Sequence, residues 1–198
     1  EPEIIHGNSL DRNVREYREE DKFDIVLMNP PYGGTEGEGI KLNFPADLRS
    51  SETADLFMSL IMYRLKKNSR AAVILPDGFL AGTDSAKVAI KKKLIEEFNL
   101  HTIIRLPGSV FSPYTSIRTN LLFFNKTKAT ETVWFYRLDM PDGYKHFSKT
   151  KPMQLGHFND CVKWWSDRKE IKDTETETYK AKEFTKEEIE ELGYEINQ

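Results

Sequence analysis

The chain has 198 residues, of which 38% are hydrophobic and 31% charged, and its formal net charge at pH 7 is −3. That length and hydrophobic content suffice for one ordinary globular core, and no apolar run approaches the roughly 18 residues of a membrane-spanning helix. The mild acidity argues against a protein that holds nucleic acid through a broad basic face of its own. The single cysteine, Cys161, cannot form an internal disulfide, which favours a cytoplasmic location.

Strands and helices alternate along the first two thirds of the chain, which predicts an α/β fold with a parallel sheet. The predicted strands lie at 4–6, 25–28 (buried), 71–75, 102–106, 121–124 and 133–136, and the predicted helices at 11–21, from a cap at Ser51 to a break near Asn68, and at 84–98. A polar turn joins the last two strands and suggests an antiparallel hairpin. The Gly-rich segment 33–49 is too long for a simple connection and is therefore a candidate functional loop.

The pattern changes after residue 137. Prolines, scattered aromatics and a hydrophilic run over 167–182 replace the alternation, and Thr185 with Glu188 predicts a capping box for a helix that Gly193 ends. We therefore divide the chain into a principal α/β part, 1–137, and an appendage outside the sheet, 138–198. The chain also begins without an initiating Met and enters a strand pattern at once, so we expect it to be a piece of a larger protein.

One tetrapeptide, Asn29-Pro30-Pro31-Tyr32, stands directly after the apolar strand 25–28. Ligands of open parallel sheets bind beyond the carboxyl ends of the strands, and prolines have a fixed φ and no N–H, so neighbouring carbonyls are held outward. The Asn29 side-chain oxygen and a main-chain carbonyl can then accept both hydrogens of a planar amino group, while Tyr32 stacks on the ring that carries it. The motif indicates an exocyclic amine on a base turned out of its duplex, made nucleophilic toward an electrophilic methyl group.

Asn-Pro-Pro-Tyr after an apolar strand resembles the catalytic motif of amino-group methyltransferases that use S-adenosylmethionine. Other stretches narrow the resemblance to the modification subunit of type I restriction–modification systems, which is an N6-adenine DNA methyltransferase. These stretches cover most of residues 23–165 and are FDIVLMNPPYGG, ETADLFMSLIMYRLKKNSRAAVILPDGFL, NLHTIIRLPGSVFSPYTSIRTNLLFF, and WFYRLDM with KTKPMQLGHF. The end of the chain, FTKEEIEELGYEIN, is similar to the family's segment after the catalytic domain.

The resemblance implies a fold, a cofactor and partners. The fold is a partial Rossmann-like methyltransferase fold with an antiparallel C-terminal hairpin, in which residues 1–137 are the C-terminal portion of the catalytic domain. In the family's strand order, 3-2-1-4-5-7-6, strands one and two would lie between the strand at 4–6 and the strand at 25–28. The cofactor is S-adenosylmethionine, and its main binding motifs would precede residue 1, so we expect this chain alone to bind it more weakly than the longer protein does. The partners are double-stranded DNA, a specificity subunit and a restriction subunit, with 138–198 as a subunit contact.

The resemblance also assigns the catalytic motif residue by residue. Asn29 and the Pro30 carbonyl would hold the adenine amino group, Pro31 would shape the turn, and Tyr32 would stack on the flipped base. Catalysis would come from positioning and polarising the amine, without a general base of shifted pKa and without a covalent enzyme intermediate.

Three further assignments concern the second face of the base and the cofactor. Phe111 fits the aromatic that packs on the other face or edge of the base, although Tyr114 is close in sequence and is an alternative. Asn8, in the stretch IIHGNSL, stands where the family has an Asp that contacts the adenine ring of the cofactor. An amide can also pair with that ring, so Asn8 and Asn29 are the predicted cofactor contacts within this chain.

Other functions fit parts of the pattern. Protein glutamine methyltransferases and some RNA methyltransferases carry Asn-Pro-Pro-Tyr or close variants, since the glutamine amide offers the same NH₂ group; a non-catalytic assembly subunit is a third possibility. The segment 33–49 and the Phe-Ser-Pro-Tyr-Thr-Ser stretch favour DNA. The lysine run 91–93 is more typical of a solvated helix face than of a DNA contact. His157 and Cys161 have the spacing of two metal ligands on a helix, but the chain offers no second pair, so we predict no metal site.

Overall fold

The computed structural model describes residues 3–174 and 176–196. Within these ranges seven strands form one sheet: β1 Phe23–Met28, β2 Leu65–Pro76, β3 Asn99–Arg105, β4 Thr119–Asn125, β5 Thr132–Arg137, β6 Ile171–Lys172 and β7 Tyr179–Thr185. The same ranges contain six α-helices: α1 Glu38–Lys41, α2 Thr53–Arg64, α3 Asp77–Ala81, α4 Ser85–Glu97, α5 Asn159–Ser166 and α6 Lys186–Glu191. Short 3-10 turns lie at Val14–Glu16, Glu19–Asp21, Ala46–Leu48 and Leu155–Phe158.

The strands are arranged in the spatial order β1-β2-β4-β3-β5-β7-β6. β1 and β2 are parallel, β4 is antiparallel to both of its neighbours, β2 and β3, and β3 is parallel to β5. The first four positions therefore reproduce the 4-5-7-6 part of the methyltransferase order, with one antiparallel strand between parallel ones. This confirms the predicted α/β fold class.

The sheet has a core on each face because successive side chains of a strand point to opposite sides. On β4, Leu122 and Phe124 belong to the core under α2, α4 and α6, whereas Leu121 and Phe123 pack against the core under α5. Tyr32 packs at the edge of the first of these cores. The first core therefore connects the predicted catalytic motif to the helices.

The predicted hairpin of strands 121–124 and 133–136 is wrong, because β3 lies between β4 and β5. Thr130, in the connection, explains the crossing. Its hydroxyl donates to the Phe98 carbonyl at 2.7 Å and accepts from the Leu100 N–H at 2.9 Å, so the connection is held at the start of β3. The C-terminal hairpin of this sheet is instead formed by β6 and β7.

The expectation that residues after 137 lie outside the sheet is also wrong. β7 pairs with β5 along its length, and Phe184 and Ile189 contribute to the core under α2, α4 and α6. The hydrophilic composition of 167–182 concealed this strand, because the buried positions of β7 alternate with lysines whose stems lie along aromatic rings. The capping box of α6 is confirmed: the Thr185 hydroxyl accepts from Glu188 N–H, and the Glu188 carboxylate accepts from Thr185 N–H.

Several predictions for the first half of the chain need correction. Residues 4–6 form no strand, and the predicted helix 11–21 is reduced to two 3-10 turns, because within it only Val14 and the half-buried Tyr17 pack into the apolar cluster that contains Leu10. Helix α2 begins at Thr53 without a side-chain cap from Ser51, and it ends at Arg64, before Asn68.

The strand predicted at 25–28 is present as β1, but it is not buried as expected. Val26 is buried, whereas Ile25 is 53% and Leu27 78% exposed. β1 stands first in the order of the described sheet, so its far edge and much of its apolar surface face outward.

Candidate active site

The Asn-Pro-Pro-Tyr motif follows β1 immediately and lies at the carboxyl end of the parallel strands. Pro30 is buried, Asn29 and Pro31 are exposed, and Tyr32 is half-buried. The arrangement presents the Asn29 side chain outward at the sheet edge, where open α/β sheets bind their ligands. Its position agrees with what the sequence predicted for a catalytic motif.

The Tyr32 hydroxyl connects the motif to the neighbouring strand. It donates to Asn29 Oδ1, and the Ile74 carbonyl of β2 lies 3.3 Å away as a second acceptor. Burial raises the pKa of Tyr32, so the phenol stays a neutral donor at physiological pH. Because a hydroxyl has one hydrogen, it serves one of these two acceptors at a time.

A second aromatic ring lies beside Tyr32. The Phe111 ring is 6.3 Å from the Tyr32 ring between centroids, at an interplanar angle of 66°. Tyr114 is 88% exposed, and its backbone N–H is bonded to the Phe111 carbonyl in a turn. The structure therefore brings Phe111 to the motif, while the Tyr114 side chain points into solvent.

The candidate loop 33–49 is closed at its base, next to Tyr32. Thr35 forms a β-bridge with Glu52, Glu36 N–H donates to the Ser51 carbonyl at 2.9 Å, and Thr53 N–H donates to the Gly34 carbonyl at 3.0 Å. A Cβ at Gly34 would come within 2.6 Å of the Thr53 hydroxyl, so this close approach requires glycine. The loop is an anchored structure rather than an irregular connection.

An ionic cluster that the sequence did not reveal lies below this loop base, with Lys87 and Asp55 buried and Glu52 and Asp84 exposed. The Lys87 ammonium of α4 is 2.6 Å from Glu52, 3.0 Å from Asp55 and 3.3 Å from Asp84. Burial disfavours the Lys87 charge, but the hydrogen bonds that Lys87 donates to Glu52 and Asp55 raise its pKa overall. Burial raises the pKa of Asp55, even though Ser50 and Lys87 donate to it.

The lysine run 91–93 is not uniformly solvated. Lys91 is fully buried and donates to the carbonyls of Leu80 and Gly82, at 2.8 and 2.7 Å. Burial lowers the pKa of Lys91 to about 8. The buried Lys91 side chain therefore satisfies carbonyls at the C-terminal end of α3. The interpretation of the run as a solvated face is wrong at this position.

A second polar group that the sequence did not reveal lies at the carboxyl ends of the parallel strands. It joins a residue after β2 to residues of β4 and β3. The Asn120 amide donates to Asp77 Oδ1 at 2.7 Å, and the Arg105 guanidinium is 3.6 Å from the same oxygen. Asp77 follows β2, where the sequence showed only a stop signal, Pro76-Asp77-Gly78. A polar residue after a predicted strand was the available signal, as it was for Asn29.

Asn8 occupies a separate part of the surface. Its side-chain oxygen accepts from Leu10 N–H at 3.0 Å, and it lines an open cavity of about 660 Å³ together with Tyr17 and Arg64. Asn29 is not among the residues that line this cavity. The cavity has room for an adenine ring beside the Asn8 amide, but the two predicted cofactor contacts do not share one pocket.

Neither a metal-binding cluster nor a membrane-spanning helix is found within residues 3–174 and 176–196. No three histidine, cysteine, aspartate or glutamate side chains in these ranges form a group that could hold a metal ion. His157 packs between the rings of Tyr144 and Phe147, and Cys161 is buried in the core under α5. No helix of the described chain has the length and apolarity needed to span a membrane.

Comparisons with known proteins place the site in context. A model of the family described as N-6 DNA Methylase matches residues 1–198. The type I restriction enzyme EcoEI methylase subunit of Escherichia coli is 50% identical over 165 residues, which are 83% of this chain and 33% of that protein. The chain thus spans about a third of the length of this curated relative.

Two solved structures have the same fold over nearly all of the chain. A modification subunit from Vibrio vulnificus YJ016 is 44% identical, with a TM-score of 0.84 over 92% of this chain and 38% of that one. A chain from a study of complex assembly and conformational transition of the type I R-M system is 36% identical, with a TM-score of 0.85 over 100% of this chain and 41% of that one.

Proposed function

The chain belongs to the N-6 DNA methylase family, and from that premise we propose that it is part of an adenine-specific DNA methyltransferase, the modification subunit of a type I restriction–modification system. The observation that carries the proposal is the position of Asn29 at the carboxyl end of β1, with the rings of Tyr32 and Phe111 beside it. An oxygen acceptor flanked by aromatic rings suits an extruded base that bears an amino group.

In the proposed reaction the chain's own residues hold and polarise the adenine amine. Asn29 Oδ1 and the Pro30 carbonyl accept its two hydrogens, which moves the nitrogen lone pair toward the direction of attack. The Tyr32 hydroxyl can turn to the Ile74 carbonyl, which leaves the Asn29 oxygen to the amine. S-adenosylmethionine, when bound, supplies the electrophilic methyl group. After transfer the positively charged nitrogen releases its surplus proton to solvent water, so no side chain has to act as a strong base.

We assign Asn8 and Asn29 as the cofactor contacts within this chain, with the main cofactor motifs on other strands of a longer protein. The exposed apolar side chains of Ile25 and Leu27 support this assignment, since an outer edge strand of a finished sheet rarely presents such residues to water. In the family's strand order, the first strand pairs with this edge.

We propose DNA, a specificity subunit and a restriction subunit as partners, and the cytoplasm as the location because the substrate is DNA. The division into 1–137, the catalytic part, and 138–198, a subunit contact, remains part of the proposal. Leu155 is 86% and Val162 62% exposed on the α5 side of the sheet, which supports a contact surface in the second part.

The test uses the full-length protein assembled with its specificity subunit. Transfer of a labelled methyl group from S-adenosylmethionine to DNA is compared for wild type, Asn29→Ala and Asn29→Asp. Asn29→Ala should lose at least roughly 100-fold in turnover and change the DNA Kd by less than about threefold, because it removes an acceptor used mainly at the transition state. Asn29→Asp, which keeps an acceptor oxygen, should retain more activity.

The matched control is Asn99→Ala, at the opposite, amino end of β3, and it should behave as wild type. Labelled RNA or protein glutamine with unlabelled DNA would mean that the acceptor is assigned wrongly. Transfer to none of the three would favour a non-catalytic assembly role. Normal turnover by Asn29→Ala would remove Asn29 from the catalytic site.

A further inference from the structure

A cavity of about 330 Å³ lies on the side of the sheet that carries α3 and α6, and residues of β3, β5 and β7 line it. In the described part of the chain, its lining includes four cationic side chains and no aspartate or glutamate: Arg105, Arg137, Lys180 and Lys182. The chain as a whole is acidic, with a net charge of −3. A cavity whose charged lining is entirely positive is therefore a local feature, and it is not a consequence of composition.

Strand register places these cations in a row. Arg105 is aligned with Arg137 in the parallel pair of β3 and β5, and Lys182 of β7 is opposite Phe135 of β5. Lys180 precedes Lys182 by two residues and so points to the same face. Because neighbouring strands are about 4.8 Å apart, the row extends across the sheet edge for about 10 Å.

The row begins at the edge that carries the candidate active site. Arg105 is aligned with Asn120 of β4, and both contact Asp77 after β2. β2 in turn pairs with β1, whose carboxyl end leads into Asn29. The cations therefore continue the line of strand ends outward from the predicted catalytic motif.

Carboxylates at the rim hold three of the cations without covering them. The pairs are Arg105–Asp77 at 3.6 Å, Arg137–Asp139 at 2.7 Å, Arg137–Asp173 at 3.5 Å and Lys180–Asp139 at 3.1 Å. The side chains of these three cations are 29 to 35% exposed. A guanidinium has five N–H donors, so each arginine keeps donors for a further anion.

Lys182 supplies the positive charge in excess of these pairs. Within residues 3–174 and 176–196 it makes no ion pair, and its ammonium lies 4.3 Å from the Phe184 ring centroid and 5.2 Å from that of Tyr179. Cation–π contacts orient an ammonium without neutralising it. Lys182 is thus held in place and is available to an anion.

We propose that this cation row, Arg105, Arg137, Lys180 and Lys182, binds backbone phosphates of the DNA whose adenine is held at Asn29, at a distance of three to five strands from β1. The inference rests on the proposed function and adds the place where the DNA strand lies. The row is about 10 Å long across three strands, which is too long for all four cations to meet one small anion, whereas a DNA strand carries a phosphate for about every 3.4 Å of helix axis.

The experiment measures DNA binding by the full-length protein with its specificity subunit, on a duplex that contains its recognition site, at several salt concentrations. Lys182→Gln and the pair Lys180→Gln/Lys182→Gln are compared with Lys67→Gln, an exposed strand lysine at the opposite edge of the sheet. We expect the double variant to raise Kd about three- to tenfold. The slope of log K against log salt should become shallower by about 1 for each phosphate that the variant no longer neutralises.

The increase in Kd should be equal on a duplex without the recognition site, and kcat at saturating DNA should stay within about twofold of wild type, because phosphate neutralisation is independent of sequence. Lys182→Arg, which keeps the charge, should keep the salt slope. Lys182→Gln breaks no ion pair in the described chain, so its slope decides the question even if the double variant is unstable.

Two failures are distinguishable. Wild type that binds and methylates DNA, with Lys182→Gln matching Lys67→Gln in Kd and slope, would overturn the cation row and leave the proposed function standing. Wild type that neither binds nor methylates DNA would overturn the proposed function, and the cation row with it.

Discussion

The Asn29 oxygen is bonded to the Tyr32 hydroxyl, and this contact separates two roles of the tyrosine. The ring offers a face for stacking, while the hydroxyl occupies the acceptor that the proposed reaction assigns to the amine. The Ile74 carbonyl gives the hydroxyl another acceptor when the amine arrives. In the reaction we propose, the hydroxyl therefore first orients Asn29 and then releases it, and the ring remains in place.

We predict that Tyr32→Phe keeps methyl-transfer turnover within about threefold of wild type, because the stacking ring remains. Tyr32→Ala should weaken capture of the flipped base by about 1–3 kcal/mol, the value of one base–aromatic stack. The measurement is fluorescence of 2-aminopurine at the target position, together with labelled transfer. Equal losses of base capture and methyl transfer in Tyr32→Phe and Tyr32→Ala would mean that the hydroxyl, and not the ring, holds the base.

Helices α2 and α4 are joined by the buried ion pair of Lys87 with Asp55, and Lys87 also contacts the exposed Glu52. Asp55 is fully buried, and its Oδ1 has no hydrogen-bond partner in the described structure, so its other oxygen depends on Lys87 and Ser50. This contact supports the base of the loop beside Tyr32, since Glu52 forms the β-bridge with Thr35. The cluster is therefore a support for the site as well as for the fold.

We predict that Lys87→Met destabilises the protein by about 3–5 kcal/mol, because it leaves the Asp55 carboxyl buried without its cation. Combining it with Asp55→Leu should recover most of that stability, since apolar residues can replace a buried pair. Thermal unfolding of the full-length protein checks both variants. The control is Lys92→Met, an exposed lysine on the same helix. A double variant as unstable as Lys87→Met would show that the carboxyl is not the cause.

Helix α5 packs on β3 and β4 through aromatic rings and one histidine. His101 of β3 meets the Trp165 ring edge-on at 5.8 Å between centroids, and its Nδ1 is 2.9 Å from the Thr102 hydroxyl. Burial, together with the nearby charge of Arg168, lowers the pKa of His101 to about 4. His101 is therefore neutral at physiological pH, as this packing requires.

A pH dependence follows from this shift. The unfolded chain takes up a proton at His101 near pH 6.5, whereas the folded chain does so only near pH 4. The stability contributed by neutral His101 is therefore present above about pH 6.5 and is lost as the pH falls toward 4. His101→Gln should flatten this part of the Tm–pH curve, with His146→Gln, an exposed histidine, as the control variant. An unchanged curve would contradict the prediction.

The two ends of the described sheet differ in the length of their outer strand and in its exposed apolar surface. At β1 the sheet ends on a six-residue strand with Ile25 53% and Leu27 78% exposed, whereas at the other end it finishes on the two-residue β6, where Ile171 is 38% exposed. The β1 side is therefore the open edge. The chain also spans only about a third of its curated relative, so the open edge supports a continuation of the sheet in a longer protein. We propose that the main cofactor motifs lie on that continuation.

We predict that residues 1–198 in isolation bind S-adenosylmethionine at least tenfold more weakly than the full-length protein. Asn8 and Asn29 alone offer few of the contacts such a ligand needs, and they do not line a common cavity. Isothermal titration calorimetry on both proteins makes the comparison, and circular dichroism checks that the shorter one is folded. Equal affinities for two folded proteins would refute the prediction.

The sequence by itself determined several of the local elements and the predicted catalytic motif. The strands at 71–75 and 102–106 and the helix at 84–98 are present, because apolar periodicity, the Asp84 cap and proline stops act over a few residues. Asn29 and Tyr32 were identifiable because a rigid polar tetrapeptide after an apolar strand has few structural uses.

Only the tertiary structure decided the contacts between distant parts of the chain. The place of β3 between β4 and β5, and of β7 in the sheet, depends on pairing partners that periodicity does not specify. Lys87 and Glu52 are 35 residues apart, and the cation row is assembled from three strands by their register. Such features arise because folding brings charges together in space, whereas a sequence pattern describes only neighbours along the chain.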